Sequence, residues 1–240
     1  MSKNNIQLEL NPGIELKPTT MPGICRAVVI DAEKRFDLTW DRFHRLHRTA
    51  EAIKRAIEVS ESILDVGGFD GSLALFLPQY DIDVLDPITT GGTGFSITTE
   101  PYDAVVSIDA LEHVAPDERL LFLEQLCKVA RHSCFINFPG RQTAIAQKLI
   151  FELTNNPLVK EHVEWQLPDM DYVKQHLESS GFLVETQQHT SLSQWISQYL
   201  LQTVAPDLGA KANRHLLEHH LNEPTETPLY NLIIARRKDK

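Results

Sequence analysis

Short apolar runs alternate with stretches of helical spacing between residues 62 and 235, and this alternation limits the fold more than any other feature of the chain. Strands are expected at 62–66, 82–85, 103–108, 134–138, 182–186 and 230–235. Between them lie helical patterns. Leu120, Leu121, Leu123, Leu126 and Val129 give 116–130 one apolar face. The segment 169–180 reads as a helix closed by Gly181, which suits a left-handed cap. A further helix is expected from residue 39, where Trp40, Phe43, Leu46, Ala50, Ile53 and Ile57 recur at helical spacing. Such alternation is the pattern of a doubly wound, mostly parallel α/β sheet.

Other segments punctuate this scheme. Residues 1–38 carry Pro12, Gly13, Pro18, Pro22 and Gly23 and are expected to form an N-terminal extension with one or two short strands. Residues 39–240 would form the main domain. Ser72 to Leu77 reads as the start of a helix, shortened by Pro78. The stretch 88–100 is rich in Gly and Thr and reads as a loop, with a weak strand at 95–97. Leu192, Trp195, Ile196 and Tyr199 share one helical face, and Pro206 starts a second, polar helix. This pair, about 190–222, reads as a helical insertion capping a binding site. The apolar stripe is expected to be core packing first, and an acceptor wall or homodimer contact second.

Charge narrows the function classes. The net charge of −10 argues against nonspecific nucleic-acid binding, which needs surplus Lys and Arg. No apolar run is long enough to span a bilayer, and the polar start Met-Ser-Lys-Asn-Asn lacks a signal-peptide core. A cytoplasmic protein is expected, with no membrane contact. Cys25, Cys127 and Cys134 match no zinc module and read as small reduced thiols.

The run Gly67-Gly68-Phe69-Asp70-Gly71 follows the first strand of the alternating region. A strand entering a Gly-rich turn brings backbone N–H groups to the carboxyl edge of a sheet, where open α/β folds bind ligands. The order is not the Gly-x-Gly-x-x-Gly of nicotinamide or flavin sites. Asp86 ends the next strand, roughly 20 residues on, where an acid in such folds accepts ribose hydroxyls. The bland alternative is a turn cap before Pro87. Pro87 and Ile88 are placed to pack on an adenine face.

Residues Tyr102-Asp103-Ala104-Val105-Val106-Ser107-Ile108-Asp109-Ala110-Leu111-Glu112-His113-Val114 carry a more specific likeness. The chain resembles class I S-adenosylmethionine-dependent methyltransferases, above all the group with the ubiquinone- and menaquinone-pathway enzymes. There a Tyr/Phe-Asp-x-Val-Val strand runs into a Leu-Glu-His-Val turn. The likeness covers residues 60–140 and extends weakly to Glu161-His162 and the last strands.

The resemblance implies a Rossmann-like, seven-stranded sheet with an antiparallel last strand, S-adenosylmethionine as cofactor and a small-molecule methyl acceptor. Asp65, Gly67, Gly68, Phe69 and Gly71 would hold the methionine end. Asp86 would bind ribose, and Asp109 and Ala110 would lie near the methyl group. The chain departs from the family twice. Phe69 stands at the family's middle Gly. The stretch 94–99 lacks the acid that bonds adenine, so Thr98, Thr99 or backbone groups are the candidates there.

Methyl transfer is an in-line displacement at an activated carbon, so proximity does most of the work. A base is needed only for a protonated acceptor. His113 and His162 are the candidate bases; otherwise His113 pins the turn. His215-Leu216-Leu217-Glu218-His219 matches an inverted zinc-protease motif, with Glu223 and Glu226 as the nearby further ligands, but a polar helix explains it more cheaply, and no metal is expected. His44 and His47, with Arg45 and Arg48, are expected on a solvated face. Two rivals remain: a non-catalytic binding or regulatory subunit, and a nicotinamide-dependent oxidoreductase.

Overall fold

The computed structural model describes residues 10–221 and 226–238. The polar N-terminal pentapeptide and Glu223 lie outside the described residues.

The strands are β1 (Ile14–Pro18), β2 (Cys25–Val29), β3 (Ile63–Val66), β4 (Ile82–Leu85), β5 (Tyr102–Ile108), β6 (Ala130–Pro139), β7 (Phe182–Ser191) and β8 (Pro228–Arg237). They form one sheet in the order β1-β2-β4-β3-β5-β6-β8-β7. Strands β4, β3, β5 and β6 are mutually parallel, and β8 runs antiparallel to both β6 and β7. The chain moves outward from β3 to β4, then returns to the other side with β5. That reversal opens a crevice at the carboxyl ends of β3 and β5, the usual ligand position in such sheets.

The sheet has eight strands because its edge is built differently from the expectation. Segment 95–97 forms no strand; Ile97 is buried in a loop instead. The N-terminal hairpin β1–β2 takes the place beside β4, with Cys25 opposite Val84. Arg26 locks it there by ion pairs to Asp81 and Asp83, and Tyr102 donates to Asp83 at 2.9 Å.

The helices are α1 (Trp40–Ala56), α2 (Arg119–Val129), α3 (Ala144–Thr154), α4 (Pro157–Glu164), α5 (Met170–Ser179), α6 (Leu192–Val204) and α7 (Pro206–His219). Residues 72–76 make only a 3-10 turn before Pro78. Sheet side chains alternate between two cores. Ile63, Val84 and Phe135 face α1, α6 and α7; Leu64, Val105, Cys134, Ile136 and Phe138 face α2 and α5. The α6–α7 pair stands between β7 and β8 as an insertion. Ser191 caps α6 by accepting from Gln194 N–H, and Pro206 opens α7. Cys127 and Cys134 are buried free thiols; Cys25 is half-buried. No helix among the described residues is long and apolar enough to cross a membrane.

Helix α1 corrects the expectation of a solvated basic face. It packs beneath the sheet on one side and against α6 and α7 on the other. His44 is buried, with its ring 4.2 Å from that of Trp40, and the Arg45 side chain is only 14% exposed.

Candidate active site

The loop after β3 is shaped by what surrounds it. Gly67 has φ +78°, and a Cβ there would stand 2.6 Å from the Ala110 Cβ. A Cβ on Gly68 would collide with the Asp65 carboxylate. Phe69 also adopts a left-handed φ of 48°, which a bulky residue rarely does. Two clamps hold it. Its N–H donates to Asp86 Oδ2 at 3.2 Å, and its carbonyl accepts from the Thr89 hydroxyl. Gly71 plays a different part. It has φ +75° and faces Ala27 and Leu16 of the hairpin, away from the cavity.

A cavity of about 710 Å³ opens over this loop. Of the expected site residues, Asp65, Gly67, Gly68, Phe69, Asp86, Pro87, Ile88, Asp109, Ala110 and His113 line it. Gly71 and His162 do not. Thr98 and Thr99 are also absent from the lining, and Thr99 donates instead to the Met21 sulfur. Thr93, Phe95 and Phe122 form the wall where an adenine-side acid was sought, so that wall is largely aromatic.

Two carboxylates in this cavity are held differently. Asp65 is 1% exposed, and its Oδ1 has no partner among the described residues. Burial raises its pKa to about 7, helped by Asp86 and Asp70 and opposed by Arg42. Asp86 is well satisfied: Oδ1 accepts from the Ile88 and Thr89 N–H groups, and Oδ2 from Phe69. The turn-cap role is therefore real. A carboxylate oxygen has room for a second donor, so Oδ2 remains able to accept from a ligand.

A second chamber of about 440 Å³ lies beside the first. The two share Arg45, Asp109, His113 and Leu158 as a common wall. Helix α4 and the inserted α6 supply the far side, with His162, Trp195 and Tyr199. Trp195 of the apolar stripe belongs to the core, as expected, and also lines this chamber.

The shared wall is an ordered set of charges. Arg45 binds Asp41 at 2.7 Å and Asp109 at 2.9 Å, and donates to the Tyr230 hydroxyl at 3.1 Å. Burial opposes its charge, but Asp109, Tyr230 and Asp41 outweigh that and raise its pKa. Asp109 has φ 57° at the tip of β5. Burial opposes its ionisation too; Arg45, then the neighbouring Glu112, prevail and lower its pKa. Burial, then Asp109, push the Glu112 carboxyl well up. His113 Nδ1 is 2.7 Å from Glu161 Oε2, and His162 Nδ1 is 3.1 Å from Gln147 Oε1. The two Nε2 atoms face each other at 3.4 Å. Burial, then His113, lower the His162 pKa to about 4, so this imidazole is neutral at pH 7.

Arg42 was not singled out from sequence, Arg45 was expected on a solvated face, and Glu112 and Glu161 entered only through the family likeness. Two Glu-His dipeptides, 112–113 and 161–162, were the available signal, since the fold brings them together. Glu112, His113 and His162 each offer a ligand atom within 4.8 Å of the others, a set able to hold a cation; Glu61, Asp103 and His132 do so at the surface. The protease-like motif forms no such group among the described residues. There Glu218 binds Arg214 at 3.1 Å.

No protein-family model and no curated protein matches the chain. Solved structures do. A protein assigned as a sarcosine dimethylglycine methyltransferase from Galdieria sulphuraria matches with TM-score 0.55 and 14% identity, over 83% of this chain and 86% of that one. The [4+2]-cyclase SpnF matches with TM-score 0.51 and 13% identity, over 85% and 84%. The chain has the class I methyltransferase fold. The second likeness is to a cyclase, so function has to be argued from the site.

Proposed function

We propose that this chain is an S-adenosylmethionine-dependent methyltransferase acting on a small molecule. The observation that carries the reading is the pair of chambers meeting at one wall. A methyl group must pass from donor to acceptor in line, and two adjacent cavities sharing Arg45, Asp109 and His113 suit that transfer.

The residues of the larger cavity fit the cofactor. The orphaned Asp65 Oδ1 is matched by a methionine ammonium. Gly67 and Gly68 leave the backbone bare. Asp86 Oδ2 would accept from a ribose hydroxyl, and Pro87, Ile88, Phe95 and Phe122 would enclose adenine. The cofactor supplies a methyl group on a sulfonium, ready for displacement. His113 and His162 serve as the base when the acceptor enters protonated. Glu161 Oε2, 2.7 Å from His113 Nδ1, holds that ring at the shared wall.

Titration calorimetry tests the reading with S-adenosylhomocysteine and NAD. The first should bind one to one, and NAD should not bind. Asp86→Ala should weaken the first by about 1–3 kcal/mol, the loss of a hydrogen bond to a charged group. Binding of NAD alone would replace this reading with the oxidoreductase one.

A further inference from the structure

Resting on the methyltransferase reading, we infer that the 440 Å³ chamber takes a small amine, which enters as an ammonium ion and leaves N-methylated. Charge is the first argument. The charged residues lining the chamber, apart from its histidines, are Asp41, Arg45 and Asp109. Arg45 is already held by both carboxylates, which leaves the wall one negative charge in excess. An anionic acceptor would find no unpaired Lys or Arg among the described lining residues. Burying a carboxylate or phosphate there carries the full penalty of an unpaired charge. An ammonium meets the opposite situation.

Hydrogen-bonding capacity points the same way. The carboxylates of Asp41 and Asp109 only accept, and Asp109 Oδ1 is buried with no partner among the described residues. An ammonium is donor-only and carries several N–H groups. The rings of Trp195 and Tyr199, edge-to-face at 5.6 Å, add aromatic surface that favours a cation.

The step balances. The ammonium gives one proton to solvent, which frees the nitrogen lone pair. That pair attacks the sulfonium methyl carbon. The carbon–sulfur bond breaks, and its electrons stay on sulfur as the thioether. The product is an N-methyl ammonium. His113 lines both cavities and so stands where this exchange must occur.

The test uses the full chain, S-adenosylmethionine labelled in its methyl group, and a deproteinised small-molecule extract. Labelled products are separated by charge at pH 7. Label should appear in cationic products and survive mild base. Label in anionic or neutral products, a base-labile methyl ester, or no product from protein that binds S-adenosylhomocysteine would overturn the inference. Failure to bind S-adenosylhomocysteine would instead sink the methyltransferase reading beneath it. With the labelled amine in hand, Asp41→Asn should raise KM tenfold or more while S-adenosylhomocysteine affinity holds. An unchanged KM would contradict the charge argument.

Discussion

Asp65 shows how one residue couples the ligand site to stability. Its carboxyl is buried without a partner on Oδ1, and its pKa is raised to about 7. The folded form therefore binds a proton that the unfolded chain releases near pH 4. Stability therefore falls as pH rises from about 4 through 7, and ionised Asp65 costs stability above that. Asp65→Asn should raise the melting temperature at pH 8.5 in the absence of ligand. It should also weaken S-adenosylhomocysteine binding roughly tenfold, because an amide replaces the charge that meets an ammonium. Melting curves and calorimetry check the two halves, and a variant that binds as tightly as the wild type would remove Asp65 from the cofactor site. Asp86 and Phe69 were both legible in the sequence as positions of interest. What sequence could not show is that Asp86 clamps Phe69 in its left-handed turn, since that contact spans two strands.

Single elements explain where sequence reading succeeded and where it stopped. Strands β3 to β6 are Val-, Ile- and Phe-rich runs buried on both faces, so their composition announces them. Helices α3 and α4 are invisible by the same logic. In α3, Ile145, Leu149 and Leu153 face solvent while Gln147 and Ile150 are buried, so the apolar pattern points the wrong way. Local chemistry still sets their ends. Asn155 ends α3 with φ 52°, and the Asn156 side chain caps α4 ahead of Pro157. The wall bearing Glu161 and His162 came from this unread segment. Gly71 was read as a cofactor residue because it belongs to the glycine run. Its surroundings instead argue for docking of the β1–β2 hairpin. Gly71→Ala should therefore cost about 1–3 kcal/mol, from a left-handed φ and a Cβ 2.9 Å from that of Ala27, measured by denaturant unfolding. S-adenosylhomocysteine affinity should be retained; a loss of affinity larger than the loss of stability would restore Gly71 to the site.

At the scale of the whole molecule, α1 is the element that joins core to chemistry. Of the residues expected on its solvated face, His44 is buried, Arg45 stands in the shared wall, and His47 and Arg48 are half-buried. His44 and His189 are both nearly buried, and burial, then neighbouring positive groups, lower each pKa to about 3. Both rings stay neutral in the folded protein while the unfolded chain takes up their protons below about pH 6.5. Stability should thus fall as pH drops from 6.5, by about 1.4 kcal/mol per pH unit for each ring. His44→Phe and His189→Phe should flatten the acid limb of a chemical-denaturation series, and an unchanged slope in both would refute this origin. The fold class itself was legible, because alternation and the glycine loop act locally. The eighth strand position was not, because β1–β2 reaches β4 from more than 50 residues away.

A crystal structure with S-adenosylhomocysteine decides whether the 710 Å³ cavity is a cofactor site opening onto an acceptor chamber. It should show ribose hydroxyls on Asp86, the ligand ammonium at Asp65, and the sulfur facing the wall of Asp109 and His113. A ligand seated elsewhere, or one whose sulfur points away from that wall, would contradict it.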